Sequence, residues 1–266
     1  MTALRPVTVI TGASSGIGAV LARVFARHGH ELALVARRGD RLQSLAGEIA
    51  ASGATKPITI NADLREHGAA QKIADALRGN GAEPQYLVNN AGFGLVGLAA
   101  VRDRGEQLAM IDVNVCALTE LSLAFVDSLE RHRGGLLNVG SISGFLPGPG
   151  MAVYYASKAY VLSFTEALHV ELKPRGVRVT LLCPGPVPTE FADVAGIRGG
   201  MGPGLLTQPA ERVAEQGYRG LMRGKRLVIP GLGNKLVTFF IRFVPRGLLL
   251  AAVSARQSRR RSAQGT

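Results

Sequence analysis

A β-branched run, VTVIT at residues 7–11, breaks into the glycine-spaced turn GASSGIG and then into an amphipathic stretch from Gly16 to His28. No other feature restricts the fold as strongly. The pattern then recurs: ELALVA, PITIN, YLVNN, GLLNVG, VRVTLLC and RLVIP read as strands, and helical periodicity occupies 40–51, 66–78, 104–132, 152–173 and 209–222. Short, nearly continuous apolar strands alternating with helices predict an α/β fold, a doubly wound parallel sheet with helices on both faces. In such a sheet ligands gather at the carboxyl ends of the strands.

At 266 residues the chain suits one such domain, predicted over 1–230, with an apolar, basic extension at 231–266. Residues 184–209, PGPVPTEFADVAGIRGGMGPGLLTQP, lack a clean period and read as a lid or binding loop. Cys116 and Cys183 have no CxxC partner or histidine cluster, so neither a metal site nor a disulfide framework is expected. The N-terminus enters a strand without a charged and apolar leader, which predicts a cytoplasmic protein.

The turn offers Gly12, Ser14, Ser15, Gly16, Ile17 and Gly18 as an anion cradle. Its glycines allow the backbone to approach a pyrophosphate, and the free N–H groups of the first helical turn face the anion. The spacing is GxxxGxG rather than GxGxxG. Gly12–Gly16 also reads GxSxG with Ser14 central, the nucleophile elbow of a hydrolase. That chemistry needs a downstream histidine, and only His132 and His169 lie beyond residue 100, neither in a promising setting. The second strand ends in Arg37 and Arg38, about 20 residues past the loop, where an acid would grip an NAD ribose. Arginine there favours the 2′-phosphate of NADP(H), since a guanidinium fork matches phosphate geometry.

The stretch YYASKAY, 154–160, sets tyrosines beside one lysine. A free phenol titrates at about 10, so it needs a nearby cation to act as an acid near neutral pH. On a helix Tyr154 meets Lys158 at four residues and Tyr155 meets it at three, and spacing alone does not choose.

Taken together, TGASSGIG at 11–18, NNAG at 89–92 and YxxxK at 154–158 resemble the short-chain dehydrogenase/reductase family, over roughly residues 7–230. The resemblance implies a Rossmann-like fold and hydride transfer between NADP(H) and a carbonyl or alcohol. Its expected serine lies 13 residues before the tyrosine; Ser141 stands at that distance from Tyr154, and Ile142 from Tyr155. The implied roles are proton transfer by Tyr154, hydrogen bonding of the substrate oxygen by Ser141, and a lysine, Lys158, that lowers the tyrosine pKa and holds the nicotinamide ribose. Asn114 corresponds to the family's helix asparagine. Further implied cofactor contacts are Asp63 and Leu64, then Asn90, Ala91 and Gly92, then Pro184, Gly185, Val187 and Thr189. The basic residue that many NADP-preferring members carry inside the glycine loop is replaced by Ser15.

The net charge of +12 belongs to the tail: all 19 acids lie at or before Glu215, whereas eleven of the 31 Lys and Arg residues follow it. Leu236, Phe239, Phe240 and Phe243 share a helical stripe there, and Arg242, Pro245 and Arg246 interrupt the apolar run before it could span a bilayer. A cover over the substrate pocket, a homo-oligomer contact in a dimer or tetramer, and peripheral membrane contact all remain open uses. No nucleic-acid readout motif accompanies the arginines. The expected activity is NADP(H)-dependent interconversion of a carbonyl and an alcohol on a hydrophobic small molecule. The alternative is a catalytically weak NADP(H)-binding sensor or scaffold.

Overall fold

The computed structural model describes residues 4–197 and 204–262, the last seven of these as backbone alone. Residues 198–203, part of the predicted lid, lie outside the described residues. Seven parallel strands form one sheet: β1 (Arg5–Thr11), β2 (Leu32–Ala36), β3 (Ile58–Asn61), β4 (Ala82–Asn89), β5 (Gly135–Val139), β6 (Arg178–Leu182) and β7 (Leu227–Val228). Their order is β3-β2-β1-β4-β5-β6-β7. The chain therefore reverses direction across the sheet between β1 and β4, the place where an open α/β sheet offers its crevice.

Both faces of the sheet are covered because the strands are apolar at nearly every position. Ile10, Leu34, Val88, Leu137 and Leu182 point into one layer, with α1 (Gly16–Arg27), α2 (Gly39–Ala51) and α9 (Ala210–Met222). Their sequence neighbours Val9, Val35, Leu87 and Leu136 point into the other, with α3 (Ala69–Gly79), α5 (Leu118–Ala124), α6 (Val126–Arg131) and α7 (Ala152–Glu171). The two-residue period of the strand thus divides each apolar run between two cores. Leu21 and Phe25 on α1 are fully buried, and each such side chain contributes about 1.5–3 kcal/mol by leaving water.

One predicted helix is broken. The segment expected at 104–132 is α4 (Arg104–Ile111), a π-helical turn (Asp112–Ala117), α5 and α6. The π turn carries Asn114, and Phe125 separates α5 from α6 with φ −104° and ψ 4°. Within 184–209 a short helix α8 (Phe191–Ala195) and a 3₁₀ turn (Gly204–Leu206) replace the featureless loop that was expected. After β7 come α10 (Leu232–Phe240) and α11 (Arg246–Ser262).

A buried polar chain runs through the sheet. The Asn89 amide donates to Asn138 Oδ1 at 3.0 Å and to Ser122 Oγ at 3.0 Å, and the Asn138 amide donates to Thr165 Oγ1 at 2.9 Å. It ties β4 and β5 to α5 and α7, so Asn89 serves the sheet while the next three residues of NNAG turn toward the crevice.

The entry of α1 depends on a glycine whose freedom is spatial. A Cβ on Gly18 would lie 2.3 Å from the Gly12 carbonyl oxygen and 2.3 Å from Asn90 Nδ2. Gly18→Ala is expected to cost about 1–3 kcal/mol of stability, because overpacking forces α1 off the loop. Gly47→Ala on the exposed face of α2, with nothing within 4 Å of the new methyl, should instead gain up to about 1 kcal/mol. Urea unfolding of both variants checks the opposite signs.

Candidate active site

Thr11 closes β1 and organises the crevice. Its hydroxyl accepts from the backbone N–H of Asn90 at 3.0 Å and of Ala91 at 3.1 Å. The Asn90 amide returns the contact, donating to the Thr11 carbonyl at 2.9 Å and to that of Gly12 at 3.2 Å. These bonds pin the glycine loop against the end of β4. Gly12 and Gly16 sit at φ +65° and +55°, a region that side-chain-bearing residues rarely enter, so the loop requires them.

A cavity of about 510 Å³ opens over this junction. Gly12, Ser14, Ser15, Gly16 and Ile17 form its floor, and Arg37, Arg38, Asp63 and Leu64 flank it. Asn90, Ala91 and Gly92 line it from β4, and Pro184, Gly185, Val187 and Thr189 from beyond β6. Ser141, Tyr154 and Lys158 line it as well. Two residues expected at the site stand outside the cavity lining. Gly18 lies beneath the loop, where it sets the packing of α1. Asn114 is fully buried and fixes the segment after NNAG: its amide donates to the Phe93 carbonyl at 2.9 Å and to Ser157 Oγ at 3.0 Å, and its Oδ1 accepts from the Phe93 N–H at 3.1 Å. The π turn is what aims that side chain sideways out of its own helix.

Ser141 is placed by the end of β5, where it caps a 3₁₀ turn (Ile142–Phe145) and accepts from the Ser143 N–H at 3.1 Å. The turn packs on α7 so closely that a Cβ on Gly144 would lie 2.6 Å from the Lys158 carbonyl oxygen. Tyr154 and Lys158 are both buried, and Lys158 Nζ lies 6.0 Å from the centre of the Tyr154 ring. That ammonium donates to the Val139 carbonyl at 3.0 Å.

The electrostatics differ from the sequence expectation. Burial pushes the Tyr154 phenol up to about 12, and the Ser141 hydroxyl pulls it only part of the way back. Burial likewise lowers the Lys158 ammonium to about 8. A lysine one helical turn away was expected to make the tyrosine more acidic; desolvation is instead the dominant influence on it, and it acts the other way. Tyr154 is therefore a protonated donor throughout the neutral range, and Lys158 is the group whose charge changes close to it.

The other tyrosines are accounted for by packing. Tyr155 lies against Gly148, where any Cβ would stand 2.2 Å from its ring, and forms part of the cavity wall. Tyr160 hydrogen-bonds Thr119 at 2.9 Å and stacks on Phe164, away from the cavity. The hydrolase alternative loses its base: His132 pairs with Glu83 at 2.8 Å, His169 contacts the Val179 carbonyl at 2.7 Å, and no histidine is among the described residues lining the cavity.

Arg38 supplies what Ser15 does not. Its guanidinium donates to Ser15 Oγ at 2.8 Å and to Ser14 Oγ at 3.2 Å, which lays a positive charge over the glycine loop from the neighbouring strand. Sequence reasoning missed its other partner, Glu190, which receives Arg38 at 3.0 Å and Arg41 at 2.6 Å and whose pKa Arg41 and Arg38 lower. Asp63 is similarly engaged by the Arg65 side chain, which lowers its pKa. Sequence reasoning also missed most of the apolar wall, including Phe93, Met151, Phe191 and Leu206. Phe191 packs 5.5 Å from Tyr154, and a Cβ on Gly94 would meet Phe191 at 3.0 Å and Tyr154 at 3.1 Å. Val237 on α10 and Val253 on α11 complete that wall. Asn234 on α10 sits so close to Gly185 that a Cβ there would lie 2.5 Å from its amide nitrogen.

Comparison with known proteins agrees with this geometry. A model described as short chain dehydrogenase matches residues 6–196. Sulfoacetaldehyde reductase 2 of Chromohalobacter salexigens is 39% identical over 191 residues, 71% of this chain and 75% of that protein. A short-chain dehydrogenase from Sphingobium yanoikuyae in complex with NADPH superposes with a TM-score of 0.78 at 34% identity, covering 85% of this chain and 88% of that one. The bulky-bulky ketone specific alcohol dehydrogenase from Comamonas testosteroni gives a TM-score of 0.74 at 30% identity, over 88% and 91%. The seven-stranded parallel sheet is thus that of a family, and the chain belongs to the short-chain dehydrogenase/reductases.

Proposed function

We propose that this protein is an NADP(H)-dependent oxidoreductase that interconverts a carbonyl and an alcohol on a hydrophobic small molecule, with Tyr154 as the proton donor and acceptor. The observation that carries the reading is the convergence of Ser141, Tyr154 and Lys158 on the cavity that also holds the glycine loop. The cofactor fits the residues present. Ser15 at the N-cap of α1 makes no side-chain capping bond, which leaves the first-turn N–H groups to an anion. Arg38, steadied by two serines and Glu190, offers a forked cation beside that turn, suited to a ribose phosphate.

NADP(H), when bound, supplies or accepts the hydride. The chain's own residues handle the proton. The Tyr154 hydroxyl donates to the substrate oxygen in reduction, and Ser141 hydrogen-bonds the same oxygen. As the proton leaves, negative charge grows on the phenol, and the Lys158 ammonium then stabilises a charge that was absent from the ground state. The depressed pKa of Lys158 sets the sign: the ammonium is present below about 8 and lost above it.

The wall supports the proposed substrate class. Beyond Tyr154 the cavity is lined by Phe93, Leu146, Met151, Phe191 and Val194, and among the described lining residues the cations are Arg37, Arg38 and Lys158. The two arginines are committed to the cofactor end. A sulfonate such as the named substrate of the Chromohalobacter relative would find no positive partner among the described residues beside those apolar groups, whereas an uncharged bulky ketone would bury its carbon skeleton against them.

Three outcomes are expected. Tyr154→Phe should bind NADPH within a factor of a few of the unaltered protein while losing about 10²–10⁴ in kcat, and Tyr155→Phe should keep most of it; retained turnover in the first variant would sink the assigned role. Arg38→Ala should weaken NADPH binding by about ten- to a hundredfold and leave NADH binding nearly unchanged, read from cofactor fluorescence. The kcat/KM for NADPH should be level at low pH and decline as pH rises through about 8, because the free protein loses the Lys158 charge there. A profile flat to pH 10 would remove Lys158 from the mechanism.

A further inference from the structure

The helix α10 is built inside out. Its buried positions are polar: Asn234 donates to the Leu206 carbonyl at 3.0 Å and to that of Pro230 at 2.7 Å, and the Thr238 hydroxyl donates to the Asn234 carbonyl at 2.9 Å. Its outward positions are apolar apart from Lys235. Leu232, Leu236 and Phe240, with Phe243 in the 3₁₀ turn (Ile241–Phe243) that follows, repeat at helical spacing, Phe240 59% and Phe243 71% exposed. Phe239 packs edge-on against both phenylalanines at 5.4 Å, so the rings form one patch rather than scattered side chains. Leu248 and Leu250 on α11 are exposed too. A helix facing water would place these residues the other way round, and a continuous apolar patch marks a contact surface.

Charge decides between the available occupants. Lys235, Arg242 and Arg246 are exposed around the phenylalanines, and none of them has an acidic partner within salt-bridge distance among the described residues. The chain after Glu215 contains no acid at all, and α11 goes on to Arg256, Arg259, Arg260 and Arg261. A second copy placed on this face by a two-fold axis would set arginine against arginine. An anionic bilayer offers the complement to both properties, acyl chains for the rings and headgroup phosphates for the cations.

We propose that α10 and α11 dock the protein on the surface of a membrane rich in anionic lipid, with Phe239, Phe240 and Phe243 inserted at the acyl boundary and Arg242 and Arg246 at the headgroups. The same two helices line the cavity through Val237 and Val253. The segment that meets the bilayer on one side therefore walls the substrate pocket on the other, and a lipophilic substrate held in the membrane lies next to its site. This reading does not depend on which cofactor binds.

The test uses the full chain, floated with vesicles of phosphatidylcholine alone or of phosphatidylcholine mixed with phosphatidylglycerol. Binding is expected to the mixed vesicles, to weaken as salt is raised, and to be at least about tenfold weaker to the neutral ones. Phe240→Ser with Phe243→Ser, and separately Arg242→Glu with Arg246→Glu, should each lower vesicle affinity at least about tenfold. Both pairs lie on exposed positions, so their thermal unfolding should match that of the unaltered chain. Absence of flotation with anionic vesicles overturns the proposal, and so does equal flotation with neutral ones. If light scattering shows a dimer that the phenylalanine pair abolishes while vesicle affinity stays unmoved, the face belongs to a second copy and the proposal fails.

Discussion

The hydrogen bonds between Thr11 and the start of NNAG hold the two halves of the sheet together at the point where its order reverses. β2 and β3 lie to one side of β1, and β4 to β7 lie to the other. The glycine loop and Asn90 meet at this boundary with no space to spare, since a methyl group at Gly18 would strike both. Everything at the site is referred to that junction. Arg38 reaches the loop from β2, the Asn114 side chain fixes the segment that leaves β4, and Ser141 and Lys158 are set from the end of β5. Loss of register at β1 would displace all of them together.

Dryness gives the proton-handling groups their properties. An exposed tyrosine and lysine at this spacing would sit near their ordinary pKa values, with the charge of one barely felt by the other through water. Burial moves them apart, the phenol up and the ammonium down. The pair therefore starts with its proton on the phenol, with Lys158 closer to neutral pH than any free lysine. Such a site resists ionisation at rest and responds strongly to charge that develops during reaction, which is the condition under which a fixed dipole or cation contributes most.

Much of this was legible in the sequence because it is local. Strand runs, the glycine spacing and the Tyr154 to Lys158 interval are all read within a few residues, and the interval from Ser141 separated Tyr154 from Tyr155. What escaped notice depends on contacts between distant segments. The periodicity of 104–132 continues smoothly through Asn114, yet one extra residue per turn at 112–117 rotates that amide onto Phe93. Glu190 carries no signal of its own, and only the folded chain brings it to Arg38 and Arg41. The shift of Tyr154 away from acidity could not be inferred from its neighbour, because spacing fixes distance but says nothing of solvent. Gly18 was legible as essential and misread in role, a packing glycine taken for a ligand contact.

The close fit of Asn234 over Gly185 makes the tail an inseparable part of the pocket. Gly185 lacks a side chain where α10 has placed one, so the loop after β6 and the helix after β7 share a single volume between them. Neither can change alone: a larger residue at 185 evicts the helix, and a chain without the helix exposes a notch beneath its own pocket. Grafting a different tail onto this scaffold therefore means redesigning position 185 at the same time, and substitutions at the two places should show strongly non-additive energies.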